Sequence, residues 1–285
     1  MLSPVPLLVR RLCRLAPGLI FLPALLAGPA TPPAAAEGPA GVEVVLQEVE
    51  DNRYSKGPIE GGLVVTLNLR GAGAETAVAA RPLVKVARDD KGASLFVDPA
   101  KVPDFVERNV NGGRLDIRLK GPERAARTVS LSGAVEVFDP SRDPGAVVKV
   151  ENALAKKDKK LSSKGLKAAK MEVTLLSKAK YEAEQKKQYP DAKSSGEMGG
   201  PVPDDAVILS IPSAQNEKIL SVRLVDAEGK ELSVPLPEGS SFGKTTMRIL
   251  RPEKTPPPDA GLVFTLLTEK ARTTVPFELK EVPLP

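Results

Sequence analysis

Histidine and tryptophan are absent from all 285 residues, and the only cysteine, Cys13, stands near the start. Past Ala36 the chain therefore has no imidazole to move protons near neutral pH, no thiolate nucleophile, no soft metal ligand and no disulfide. Phe, Trp and Tyr together make up 4% of the residues. The three tyrosines, Tyr54, Tyr181 and Tyr189, do not supply the aromatic platforms that sugars or unpaired bases stack on. Beyond the first segment no apolar run is long enough to cross a bilayer. These gaps point to a non-enzymatic protein with no cofactor and no catalytic or metal-binding residue to assign.

What is present begins with an address. Arg10, Arg11 and Arg14 precede the apolar run Leu15–Leu26, which Pro17 and Pro23 interrupt, and Ala34-Ala35-Ala36 offers an A-x-A cleavage site. That order reads as a secretory signal peptide over residues 1–36, and the two prolines and short core speak against a membrane anchor. Arg10-Arg11 lacks the flanking residues of a twin-arginine signal. Cys13 precedes the apolar core, where lipoprotein processing would need it to follow. The expectation is a soluble mature chain, secreted or periplasmic, with no transmembrane segment.

Charge is unevenly spread. The whole chain carries 41 basic and 36 acidic residues, a net +5. Loss of the three signal arginines leaves +2, so the basic pI implies no nucleic-acid partner. Between Leu154 and Lys193 there are twelve lysines and five acids, a net +7, and the rest of the mature chain sums to −5. Lys156, Lys157, Lys159, Lys160, Lys186 and Lys187 are candidate contacts for an anionic surface: lipid headgroups, acidic glycans or an envelope polymer. The competing reading is a solvated, solubilising linker.

The body alternates with period two. Leu63, Val65, Leu67 and Leu69 share one face, as do Leu115, Ile117 and Leu119, and Val129, Leu131, Val135 and Val137. Later runs are Val207/Leu209/Ile211, Leu220/Val222/Leu224, Met247/Ile249, Leu262/Phe264/Leu266 and Val275/Phe277/Leu279. One apolar and one wet face is the pattern of antiparallel sheets packed face to face. Turn residues separate the runs, and the 28 prolines suit a many-turned β protein. Lys178–Tyr189 is rich in helix formers, with Ser177 to cap it and Pro190 to stop it, which predicts one short surface helix near 177–189. A flexible stretch is expected over 193–203.

The two halves are alike. Aligning Gly92 with Gly229 places Asp89 on Asp226 and Leu95 on Leu232, each half reading as strand, D-x-x-G turn, strand. Leu115–Val137 parallels Leu262–Val282, with Arg127-Thr128-Val129 matching Arg272-Thr273-Thr274-Val275. The fold expected is all-β: two tandem immunoglobulin-like antiparallel β-sandwiches. The first would span 37–150 and the second 168–285, joined by a lysine-rich linker at 151–167. The halves resemble the immunoglobulin-like and fibronectin type III-like domains of uncharacterised secreted bacterial proteins, and the tail Val275–Pro285 is similar to the ends of such proteins. The Cys…Trp…Cys signature of true immunoglobulin domains is missing. The resemblance implies a class of fold and no activity.

The chemical motifs have simpler explanations. Gly239–Thr245 resembles a phosphate-binding loop, but it has three residues between its glycines instead of four and leads into a strand pattern. Ser177-x-x-Lys180 and Ser241-x-x-Lys244 match a serine–lysine spacing without the companion elements that make it catalytic. The acidic turns at Asp89-Asp90, Asp139–Asp143 and Asp204-Asp205 could offer oxygens to calcium, though none has the spacing of a calcium loop. Two further readings stay open. One is a secreted hydrolase using carboxylates or a Ser/Lys pair; the other is an electrostatic tether through Lys156–Lys193. The leading expectation is a binding or structural protein whose partner is an unidentified protein or envelope polymer.

Overall fold

In the computed structural model strands dominate the described residues, at 47% against 18% helix. The structure describes residues 41–52, 62–98, 100–108, 113–188, 202–235 and 238–285. The predicted signal peptide and most of the stretch 193–203 lie outside the described residues. Every pairing between named strands is antiparallel.

In chain order the elements begin with β1 (Glu43–Asn52), β2 (Gly62–Arg70), the short helix α1 (Ala72–Thr76), β3 (Ala79–Asp89), β4 (Val106–Glu107), β5 (Arg114–Lys120) and β6 (Thr128–Phe138). Then come β7 (Val147–Val150), α2 (Lys164–Ala168), β8 (Thr174–Leu176), α3 (Lys178–Gln188), β9 (Val207–Pro212) and α4 (Ser213–Asn216). The last are β10 (Ile219–Val225), β11 (Glu238–Phe242), β12 (Thr245–Leu250), β13 (Gly261–Leu266) and β14 (Arg272–Pro283).

Four sheets result, with orders β1-β2-β5, β14-β6-β3-β4, β11-β12-β9-β8 and β10-β13-β7. The first two share one core. Leu63, Val65 and Leu67 of β2 and Leu115, Ile117 and Leu119 of β5 are buried with Val129, Leu131 and Val135 of β6. The other two share a second core, around Leu209 and Ile211 of β9 and Leu262 and Phe264 of β13. Alternation creates both, because each apolar face needs an opposing one to leave water. β13 departs from the expected one-wet-face pattern: all six of its residues are buried.

The strands that complete these cores come from unexpected places. β7 follows β6 in the chain yet pairs with β13, and Val148 and Val150 enter the second core. β14 follows β13 yet pairs with β6 over ten positions, sending Val275, Phe277 and Val282 into the first core. Each connection turns away from the strand it leaves. After β6, Asp139 caps one 3-10 turn by accepting from the Ser141 N–H at 2.9 Å, and Asp143 caps the next through Gly145 at 2.9 Å. Both turns carry proline at their start, which fixes their direction. The described elements all belong to one compact unit.

The two D-x-x-G turns match in their backbone hydrogen bonds. Gly92 N–H donates to the Asp89 carbonyl at 3.0 Å and Gly229 N–H to the Asp226 carbonyl at 3.1 Å. Both glycines have φ of 85°, a region that excludes most side chains. Leu95 then bonds back to Ala87 and Leu232 to Leu224.

Candidate functional site

The lysine-rich segment is folded into the second core. Ala153, Leu154, Leu161 and Leu166 are buried there. Between them the chain runs antiparallel beside β8: the Asp158 N–H donates to Leu175 O at 2.7 Å, and Leu161 N–H to Val173 O at 2.7 Å. Asp158 adopts φ of 60° and its carboxylate accepts the Ser177 N–H at 2.8 Å. Those Ser177 hydrogen bonds hold the Asp158 carboxyl below its usual range. The turn that carries Lys156, Lys157, Lys159 and Lys160 is thus pinned to the start of α3.

Helix α3 forms where the composition predicts it. Ser177 caps it, its Oγ accepting the Lys180 N–H at 3.4 Å. Tyr181 is its buried residue, packed with Leu176, Ile208, Met247 and Ile249 on the outer face of the β8-β9-β12 sheet. Lys186 and Lys187 close the last turn, where cations complement the helix dipole. They stand about 13 Å along the axis from Lys178, at 1.5 Å per residue. The candidate lysines therefore fall at the two ends of α3, with the Lys156–Lys160 turn tied to its start through Asp158 and Lys186 and Lys187 in its last turn.

Some of these charges are already engaged. Lys156 Nζ donates to Glu151 O at 3.3 Å, Lys160 pairs with Glu172 at 2.7 Å, and Lys178 pairs with Asp204 at 2.7 Å. Lys157, Lys159, Lys186 and Lys187 are exposed. Among the described residues these four form no ion pair.

A cavity of about 580 Å³ opens beside Lys157. Leu154, Leu175, Leu176, Val207, Pro256 and Pro258 line it, with Lys157, Asp204, Asp205 and Thr255 as its polar groups. Its carboxylates are occupied: Asp204 by Lys178, and Asp205 by the Thr255 hydroxyl at 3.2 Å. The size fits a small ligand.

The other singled-out motifs serve the fold. Gly239–Thr245 forms the β11–β12 hairpin around Gly243-Lys244, with Phe242 opposite Thr245 and Gly243 at φ of 60°. Ser241 lies in β11. Asp89 is buried, and its carboxylate accepts three backbone N–H groups, from Ala93 at 2.8 Å, Lys91 at 3.0 Å and Glu123 at 3.1 Å. Burial opposes its ionisation, yet these bonds hold its pKa below the ordinary 3.8. Asp90 accepts the Arg127 N–H, and Asp139 also accepts the Thr76 hydroxyl at 2.8 Å.

A further polar cluster had no signal in the sequence. Phe105 lies under the guanidinium of Arg81 at 4.5 Å and near that of Arg272 at 5.6 Å, and meets Phe138 edge-on. Glu136 neutralises Arg81 at 2.6 Å and approaches Arg272 at 3.7 Å. Beneath them Ala79, Phe138, Ala146 and Ala271 form a small core with Leu220 and Leu267. Nearby elements from the two halves also meet electrostatically. Glu107 of β4 faces Arg223 of β10 and Arg248 of β12. Such a cluster is assembled from residues distant in sequence, and only the register of β3, β6 and β14 reveals it.

No protein family, curated protein or solved structure matches the chain.

Proposed function

We propose that this is a non-enzymatic, secreted or periplasmic binding or structural protein, built from two immunoglobulin-like sandwiches that have exchanged their last strands. The pairing of β14 with β6 and of β7 with β13 is the observation that carries this reading. Matched through the twin D-x-x-G turns, β2, β3 and β6 correspond to β9, β10 and β13. β14 then holds beside β6 the place that β7 holds beside β13. An exchange of this kind makes a stiff double module without a disulfide, suited to presenting a surface at fixed geometry outside the cytoplasm.

The polar groups support the same reading. Asp89, Asp139 and Asp143 hold turns, and Glu136 joins two arginines to an aromatic ring. The two carboxylates at the cavity are each held by a partner, which favours a binding role over hydrolysis there. The test is cross-linked affinity capture from a native cell envelope, with residues 37–285 as bait. One saturable partner is the expected result. Turnover of a substrate that fails when Asp204 and Asp205 become Asn would overturn it.

A further inference from the structure

We propose that the α3 edge is a docking surface for an anionic lipid bilayer, held by lysines without insertion into the membrane. The core contacts of Leu154, Leu161 and Leu166 fix this segment in place, so its charges are displayed together instead of dispersed along a free chain. Between residues 154 and 188 there are eleven lysines and four acids. Lys180, Lys186 and Lys187 occupy the arc of α3 turned away from buried Tyr181. Lys157 and Lys159 extend that surface beyond the helix start, where Asp158 ties the turn to Ser177.

The chemistry selects the occupant. There is no arginine between residues 154 and 193, although arginine is used freely elsewhere. Arginine forks read fixed phosphate or carboxylate geometry in two-point contacts, whereas lysines act as mobile point charges. Mobile charges suit headgroups that rearrange beneath them. The exposed arc of α3 carries no apolar side chain larger than Ala183, so nothing on it would enter the acyl region. Nor does it carry a stacking residue for a nucleic acid or glycan.

The experiment is vesicle co-sedimentation of residues 37–285, which contain every described element and omit the apolar leader. Phosphatidylglycerol-containing vesicles at about 0.1 M salt should sediment the protein, and pure phosphatidylcholine vesicles should not. Raising salt to about 1 M, where the screening length shrinks to about 3 Å, should release it. The variant K157E/K159E/K186E/K187E should lose at least about tenfold in partitioning while keeping its thermal midpoint. The matched variant K85E/R88E/R118E/K120E changes net charge equally, on strands β3 and β5, and should bind more tightly than the first. Equal loss in both variants reduces the effect to net charge and overturns the proposal. Retention on a soluble polyphosphate without retention on vesicles overturns it too, by assigning the face to a polymer.

Discussion

Val275 of β14 lies directly opposite Val135 of β6, and this contact joins the end of the described chain to the core of its first half. Val275 and Val135 are both buried in that core, with Phe277 beside them. The strand that carries Val275 is linked through residues 267–271 to β13, which lies in the other core. The chain thus passes from one core to the other both between β6 and β7 and between β13 and β14.

Phe277→Ala tests that coupling. Removing a buried phenyl ring costs about 3–5 kcal/mol through lost burial and a residual cavity. That is a large share of a domain's net stability. Because β14 ties the cores together, the whole unit should unfold earlier in a single transition. Hydrogen exchange reads this directly: protection at Phe264 in the second core should fall along with protection at Leu63 and Leu67 of β2. A second core that retains wild-type protection while the first opens would show two independent domains.

The twin turns give a second comparison. Asp89 is buried and accepts three backbone N–H groups, while Asp226 is part-exposed and its carboxylate accepts the Lys230 N–H at 2.7 Å. Asp89→Ala removes three part-buried hydrogen bonds to a carboxylate at once and should cost on the order of 3 kcal/mol. Asp226→Ala leaves its donor open to water and should cost about 1 kcal/mol. Urea unfolding of each variant checks the ordering. Equal losses would mean that the clamp on Glu123 contributes nothing.

Much of this architecture is legible in the sequence. Alternation locates β2, β5 and β6 because one wet face leaves a period-two trace. Ser177 and Pro190 mark a helix for the same local reason. The Asp89/Asp226 equivalence is readable because a positive-φ glycine is a local requirement. The pairing of β14 with β6 is not readable, since nothing in β14 distinguishes pairing with β6 from pairing with β13. The folding of Lys156–Lys160 against β8 is hidden by their charge, because buried Leu154 and Leu161 are isolated among lysines. The Phe105–Arg81–Arg272 cluster is invisible because its members are far apart in sequence and belong to different segments.

Gly133 offers a sharper test of the β3–β6 register. A Cβ added there would collide with the Leu83 carbonyl oxygen and come within 2.9 Å of Val84 Cα, and both obstacles are backbone. The neighbouring Val84/Val86 irregularity in β3 lies opposite this glycine. Gly133→Ala should therefore destabilise by about 3 kcal/mol despite alanine's better strand entropy. Differential scanning calorimetry would register the lower midpoint. An unchanged or raised midpoint would show that β3 can move aside.

Glu107 sets a pH dependence of unusual sign. Burial pushes its carboxyl above the ordinary 4.5, with Arg223 and Arg248 pulling it down and Glu231 pushing it up. Burial in turn lowers the pKa of Arg248, against the pull of Glu107. Above 4.5 the unfolded chain has released this proton while the folded chain still holds it. Stability from this group is therefore full below 4.5 and declines as pH rises through the folded value. Asp89, Asp139, Asp158 and Asp204 behave oppositely, since their lowered pKa values give stability above 3.8 that is lost as pH falls further. Glu107→Gln should remove the decline above 4.5 and leave the acid limb intact. Denaturant unfolding across a pH series, wild type minus variant, measures it. A difference that stays constant as pH rises from 4.5 would mean that burial does not govern this carboxyl.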